Sequence, residues 1–169
     1  NADGTWETNI TNGGVYSNAT TSSLTVTNPP LSLNGARYRS IVSGSCGSAV
    51  SSSFATLAVN ANPVITAQPS NPTAVCEGTG TPSFSVTATG YTPAYQWQEN
   101  TGASWAAVTN GGVYSNATTA TLTITNPTLT MNGYTYRCVV SGGCGAPVTS
   151  SAATLAVNAN PVITAQPSN

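Results

Sequence analysis

Lysine and histidine are absent from this 169-residue chain, and charge of either sign is nearly so. Arg37, Arg39 and Arg137 are the only bases, and Asp3, Glu7, Glu77 and Glu99 the only acids. Charged residues make up 4% of the chain, against roughly a quarter in an average soluble domain. Each absence excludes something. Without a basic patch there is nothing to hold phosphates, so nucleic acid is not an expected partner. Without histidine, general-base chemistry falls to Glu77 and Glu99, which show no paired placement across a substrate, and no catalytic residues are assigned. The acids are too scattered for a calcium site, and three thiols at irregular spacing without histidine make a poor zinc set. No metal or cofactor is therefore expected. No apolar run approaches the roughly 18 residues that would span a bilayer, so membrane insertion is not expected either.

What fills the chain instead is Thr, Ser, Asn, Ala and Gly, while 39% of residues remain apolar. Disordered chains combine low hydrophobicity with high net charge. This one, with a net charge of −1, reads as a folded, hydroxyl-rich protein. Scarce lysine and arginine leave few sites for trypsin-like proteases. Weak electrostatic repulsion also favours lateral self-association.

An internal repeat organises the rest. Residues 12–71 recur almost unchanged at 110–169, so that Tyr16 returns as Tyr114, 98 positions later. The segment Asn62 to Asn71 reappears letter for letter as Asn160 to Asn169. A period of this length suits a whole small domain rather than a solenoid unit. The expected division is 1–60 as the later part of a repeat without its opening strands, 61–158 as a complete repeat, and 159–169 as linker and first strand of the next. Because residue 1 falls inside a repeat, the chain reads as an internal excerpt with no signal peptide.

Within the complete repeat, apolar and polar residues alternate with period two, which marks strands with one buried face. Phe84, Val86 and Ala88 alternate with Ser85, Thr87 and Thr89, and Tyr95 and Trp97 with Gln96 and Gln98. Leu122 and Ile124 alternate with Thr121, Thr123 and Thr125, a hydroxyl ladder suited to a solvated sheet face. Tyr134, Tyr136, Cys138 and Val140 share one face, as do Ala153, Leu155 and Val157. Val64-Ile65-Thr66, after a proline, suits a short edge strand. Turn signals such as Asn110-Gly111-Gly112 and Asn132-Gly133 separate the runs, and no stretch has a helical period. The fold class is all-β, with a sandwich in each repeat. Trp97, Tyr136, Val86 and Leu122 are its core candidates. Trp105 and Tyr114 are read as covering the sheet face rather than stacking on sugars. Exposed loops around Gly112, Tyr114 and Gly143 are the candidate contact sites.

Three features of residues 72–158 resemble the immunoglobulin fold: Trp97 in Tyr95-Gln96-Trp97-Gln98, the strand Leu122-Thr123-Ile124-Thr125, and Asn132-Gly133-Tyr134-Thr135-Tyr136-Arg137-Cys138. The resemblance makes Trp97 the buried tryptophan and Tyr136 the tyrosine-corner residue. Val86 stands where the partner cysteine usually lies. Together with Val75-Cys76-Glu77-Gly78 and Ser141-Gly142-Gly143-Cys144-Gly145, the chain resembles bacterial immunoglobulin-like tandem repeats of large surface and secreted proteins in Bacteroidota. That resemblance implies an extracellular stalk or filament, with neighbouring repeats as partners. The alternatives are an adhesin module binding surface glycans and a non-catalytic spacer of a secreted multidomain enzyme. A linker of about four residues, with proline and no glycine, would make a semi-rigid joint and a beaded rod.

The cysteines leave two pairings open. Cys46 matches Cys144, while Ser40 replaces the counterpart of Cys138 in the first repeat. The comparison favours a disulfide between Cys76 and Cys144, with Cys46 bonded to a Cys76-like residue and Cys138 a buried thiol behind Trp97. The rival is Cys76 with Cys138. In an ordinary immunoglobulin topology Cys76 and Cys144 could lie at opposite ends, and bridging needs Cα atoms within about 7 Å. Either bond implies an oxidising setting.

Overall fold

A computed structural model describes residues 8–167. Asp3, Trp6 and Glu7 lie outside the described residues. The chain divides into two compact units, Asn1–Asn60 and Ala61–Asn169. No α-helix occurs among the described residues.

The second unit is a two-layer β-sandwich. One sheet runs Trp105–Ala107, Ala94–Asn100, Thr135–Ser141 and Val148–Thr149, with Ala153–Thr154 also on Thr135–Ser141. The facing sheet runs Tyr114–Ser115, Thr121–Ile124 and Ser83–Ser85. The long central pair is antiparallel, placing Trp97 opposite Cys138 and Glu99 opposite Tyr136. Period-two alternation then sends Phe84, Leu122 and Ile124 from one sheet, and Trp97, Tyr136, Cys138 and Val140 from the other, into one core. Phe84 lies 4.8 Å from the Tyr136 ring and 6.3 Å from the Trp97 ring, centroid to centroid. Trp97 is fully enclosed, and its indole N–H donates to the Thr119 carbonyl at 2.9 Å.

The expected single strand from Phe84 to Thr89 is two. Ser83–Ser85 pairs with Thr121–Thr123, whereas Thr87–Thr89 pairs with Val64–Ala67 and carries a register shift. Val86, buried between them, is where the chain changes partner. A bulge of this kind lets one strand serve both edges of a sandwich.

The opening and closing segments of this unit run side by side in the same direction. Val75–Cys76 pairs in parallel with Val157–Asn158. Side-chain bonds join the two segments at a constant offset of 83 residues: Cys144 to Ala61, Ser151 to Gln68, Thr154 to Asn71 and Asn160 to Glu77. The unit therefore has an opening pole, at Ala61 and Cys144, and a closing pole, at Glu77 and Asn160.

The first unit pairs Tyr16–Ser17 with Thr25–Val26, Arg37–Tyr38 with Ala55–Thr56, and Ile41–Val42 with Val50–Ser51. None of its described residues is buried. Leu24, Val26, Tyr38, Ala55 and Leu57 line an open trough of about 270 Å³. Their counterparts one period later are Leu122, Ile124, Tyr136, Ala153 and Leu155, all enclosed. Val42 is 67% exposed where its counterpart Val140 is 0%.

The repeat thus supplies a matched pair of tests. Leu122→Ala opens a void in a closed core and should cost about 2–5 kcal/mol. Leu24→Ala, at the same place in the repeat, removes a side chain that already borders the open trough and should cost less than about 1 kcal/mol. Urea unfolding followed by Trp97 fluorescence reads the first, and hydrogen exchange of residues 12–60 reads the second. Equal costs would mean that the first unit has a closed core.

Candidate functional site

At the closing pole, Tyr114 begins a two-residue strand held by the Gly111–Tyr114 bridge and by pairing with Ile124. Its ring is half-buried and its hydroxyl points inward. The hydroxyl donates to Glu99 Oε2 at 2.5 Å and lies 3.1 Å from the Tyr136 hydroxyl. Tyr136 thus has a side-chain partner where an immunoglobulin corner uses backbone. Burial raises the pKa of both phenols well above the ordinary tyrosine value, and the hydrogen bond to Glu99 raises that of Tyr114 further. The first unit repeats the contact between Tyr16 and Tyr38 at 3.1 Å. There the Tyr38 phenol is pushed up to about 12, by burial first and then by the bond to Tyr16.

Beside this cluster, Arg137 lies over the Trp105 ring at 4.2 Å, and its Nε donates to Gln98 Oε1 at 2.8 Å. In the first unit Arg37 lies over the Phe54 ring at 4.6 Å, at positions that hold Thr135 and Ala152 one period later, so this contact is a separate one. The alternation pattern did not reveal the Arg137 stack. Its signal was the strand register, which sets Gln98 opposite both Arg137 and Ala107. Glu77 accepts from the Leu129 backbone N–H at 3.4 Å. Both carboxylates of the complete repeat therefore have partners within the fold, and they are not aimed across a common cleft.

At the opening pole, the Gly142–Gly145 loop is pressed onto the start of the unit. A Cβ on Gly143 would meet the Tyr91 ring at 2.7 Å, and one on Gly145 would meet the Asn62 side chain at 2.5 Å. Gly145 also has φ +75°, a conformation that suits glycine. Gly112 and Tyr114 lie at the other pole from Gly143. The seven-residue strand Thr135–Ser141, about 20 Å long, separates them, so the structure does not bring the candidate contact loops together.

That separation also corrects the disulfide expectation. All four cysteines are free thiols. Cys76 pairs with Asn158 at the closing pole, while Cys144 donates to the Ala61 carbonyl at 3.1 Å at the opening pole. Cys138 sits midway, fully enclosed opposite Trp97. The three lie at different heights of one sandwich, well beyond bridging range for the Cys76–Cys144 pair. Cys46, the counterpart of Cys144, is exposed. Burial pushes the Cys138 thiol up to about 11.

A β-sandwich closed on a tryptophan and a central Tyr-x-Cys strand, preceded by a unit that repeats its later ladders, defines a protein built of tandem immunoglobulin-like domains. The chain belongs to the family described as a domain of unknown function (DUF8696), which matches residues 66–159. Solved structures agree on the fold. A three-immunoglobulin segment of titin is 18% identical with a TM-score of 0.55, covering 88% of this chain and 51% of that one. Extracellular domains 3–5 of Drosophila OTK are 19% identical with a TM-score of 0.53, covering 86% and 47%. Immunoglobulin domains 1–5 of Sidekick-1 are 20% identical with a TM-score of 0.51, covering 88% and 30%. The chain thus spans less than two thirds of each of these structures. No curated protein matches it. No helix among the described residues is long and apolar enough to cross a membrane.

Cys138 gives a pH signature. Its folded pKa exceeds the unfolded value, so the stability it contributes is complete below about pH 9. That stability is lost as the pH rises through 11. The loss should reach about 2 kcal/mol by pH 11, measured by urea unfolding of the second unit. Cys138→Ala should flatten the limb between pH 9 and 10, below the range where the buried phenols add their own loss. A limb unchanged by that substitution would remove Cys138 as its source.

Proposed function

We propose that this chain is a segment of an extracellular structural stalk or fibre, part of a giant repetitive bacterial surface protein whose repeats give reach and display. The observation that carries the reading is the recurrence of residues 12–71 at 110–169, with 45 of 60 positions identical. Copies that read different ligands would diverge in their loops, whereas copies that add length need only fold and join. The likeness of the fold to multi-domain immunoglobulin structures supports the same reading. The bacterial assignment rests on the sequence resemblance, and the extracellular setting on that resemblance and on the trypsin-poor composition.

Nothing in this role calls for catalysis or a cofactor. Neighbouring repeats of the same chain are the primary partners, with lateral self-association favoured by the low charge. A glycan-binding adhesin module is the second reading. It draws on Trp105 and Tyr114, but the Tyr114 hydroxyl is turned into the fold and the Trp105 face is covered by Arg137. A non-catalytic spacer in a secreted multidomain enzyme would use the same physics as a stalk.

Electron microscopy of the intact native protein, with its mass measured alongside, tests the proposal. The expected result is beaded fibres in which one covalent chain accounts for many beads. Fibres assembled from many short chains would overturn it. Saturable binding of one glycan class by residues 61–158, lost on Trp105→Ala, would move the function to adhesion.

A further inference from the structure

Asparagine followed by glycine is the dipeptide most prone to lose its side-chain amide, because glycine leaves the peptide nitrogen unhindered. The sequence has four such pairs, at Asn12, Asn34, Asn110 and Asn132. All four asparagines are exposed, so burial does not shield them. Each pair is nevertheless held at both reacting ends. The glycine N–H donates to a backbone carbonyl in every case: Gly13 to Tyr16, Gly111 to Tyr114 and Gly133 to Leu155 at 2.9 Å, and Gly35 to Leu57 at 2.8 Å. The side-chain Oδ1 accepts from a backbone N–H in every case too. Asn12 accepts from Ala19 and Asn110 from Ala117 at 2.8 Å, Asn34 from Val59 at 2.9 Å, and Asn132 from Val157 at 3.0 Å. At Asn34 and Asn132 the backbone is also turned away from reaction. Closing a five-membered ring needs the glycine nitrogen eclipsed with Cβ, which for an L residue means negative ψ. These two have ψ 129° and 126°.

We propose that these four turns are latent modification sites, held closed by the native hydrogen bonds, so that deamidation enters a unit only through local opening. The inference is independent of the stalk reading. It explains why a chain with four exposed Asn-Gly pairs ties up the nucleophile and the electrophile of each one separately. A turn alone would need only the backbone bond.

The reaction needs no reagent but water. The glycine nitrogen gives its proton to solvent base and attacks Asn Cγ. A C–N bond forms there, the bond from Cγ to Nδ2 breaks, and ammonia leaves. Water then opens the cyclic imide to aspartate or isoaspartate. Both native bonds stand in the way. The glycine N–H is not free to leave while it donates, and Cγ does not turn toward the nitrogen while Oδ1 is held. Isoaspartate adds a methylene to the backbone at the turn, so the two bonds do not re-form together. At Asn132 the product thereby releases the N–H of Val157, a residue of the parallel ladder that closes the second unit. A unit that opens long enough to react is marked permanently and does not reclose as before.

The test uses the full chain, incubated at physiological temperature in mildly alkaline buffer, without urea and across a urea series. Mass spectrometry of chymotryptic peptides locates each converted asparagine, and isoaspartyl methyltransferase with labelled S-adenosylmethionine counts the isoaspartate. Hydrogen exchange of the Gly111 and Gly133 N–H groups is followed under the same conditions. The need to break two neutral bonds should slow conversion of Asn110 and Asn132 by roughly thirtyfold or more in the folded chain relative to the unfolded one. Across the series, conversion should rise in step with exchange of the adjoining glycine N–H. Equal rates in folded and unfolded chain would overturn the proposal. So would conversion at Asn110 or Asn132 while the glycine N–H beside it stays protected from exchange.

Discussion

Enclosure of Trp97 is the constraint on which the rest of the second unit depends. Its ring packs with Phe84 and Tyr136 between the two sheets, among Leu122, Ile124 and Leu155. Aromatic side chains of this size contribute most of the apolar area a small sandwich can bury. The first unit gives the contrast. It has the counterparts of Leu122, Ile124, Tyr136 and Leu155, and it forms the corresponding ladders. With no described counterpart of Phe84 or Trp97, it buries none of its described residues. The ladders are thus set by local sequence, and the core by the strands that lie across them.

A protein with so few charges must fix its loops by other means, and here the means are amides and hydroxyls. Asn110 Oδ1 accepts from Ala117 N–H and Asn132 Oδ1 from Val157 N–H, at 2.8 and 3.0 Å. Asn12 and Asn34 make the same bonds in the first unit, at 2.8 and 2.9 Å. These clamps persist where the core does not, because both partners belong to the later part of the repeat. Each neutral bond contributes about 1 kcal/mol net. Unlike surface ion pairs, such bonds are insensitive to salt screening. Stability of this kind would vary little with ionic strength.

Much of this was legible before the structure. Period-two alternation is a direct consequence of strand geometry, so Leu122, Tyr136 and the buried face of Thr135–Ser141 could be read from the letters alone. The break at Val86 could not, because alternation continues across a bulge while the hydrogen-bonding partner changes. The Trp105–Arg137 stack was hidden for a related reason. It joins residues on adjacent strands, and cross-strand neighbours follow from register, which the linear pattern does not state. The cysteines show the limit most plainly. Comparing the two copies singled out Cys76 and Cys144, but sequence does not say whether two such positions share a pole.

The parallel course of the opening and closing segments explains why those poles matter. Antiparallel terminal strands would bring both ends of a domain to one side, and a chain of such domains would have to double back. Here residues 61–77 and 144–160 advance together at fixed offset, so the chain comes in at one pole and leaves at the other. The residues that open the fold and those that close it therefore mark opposite ends of one sandwich.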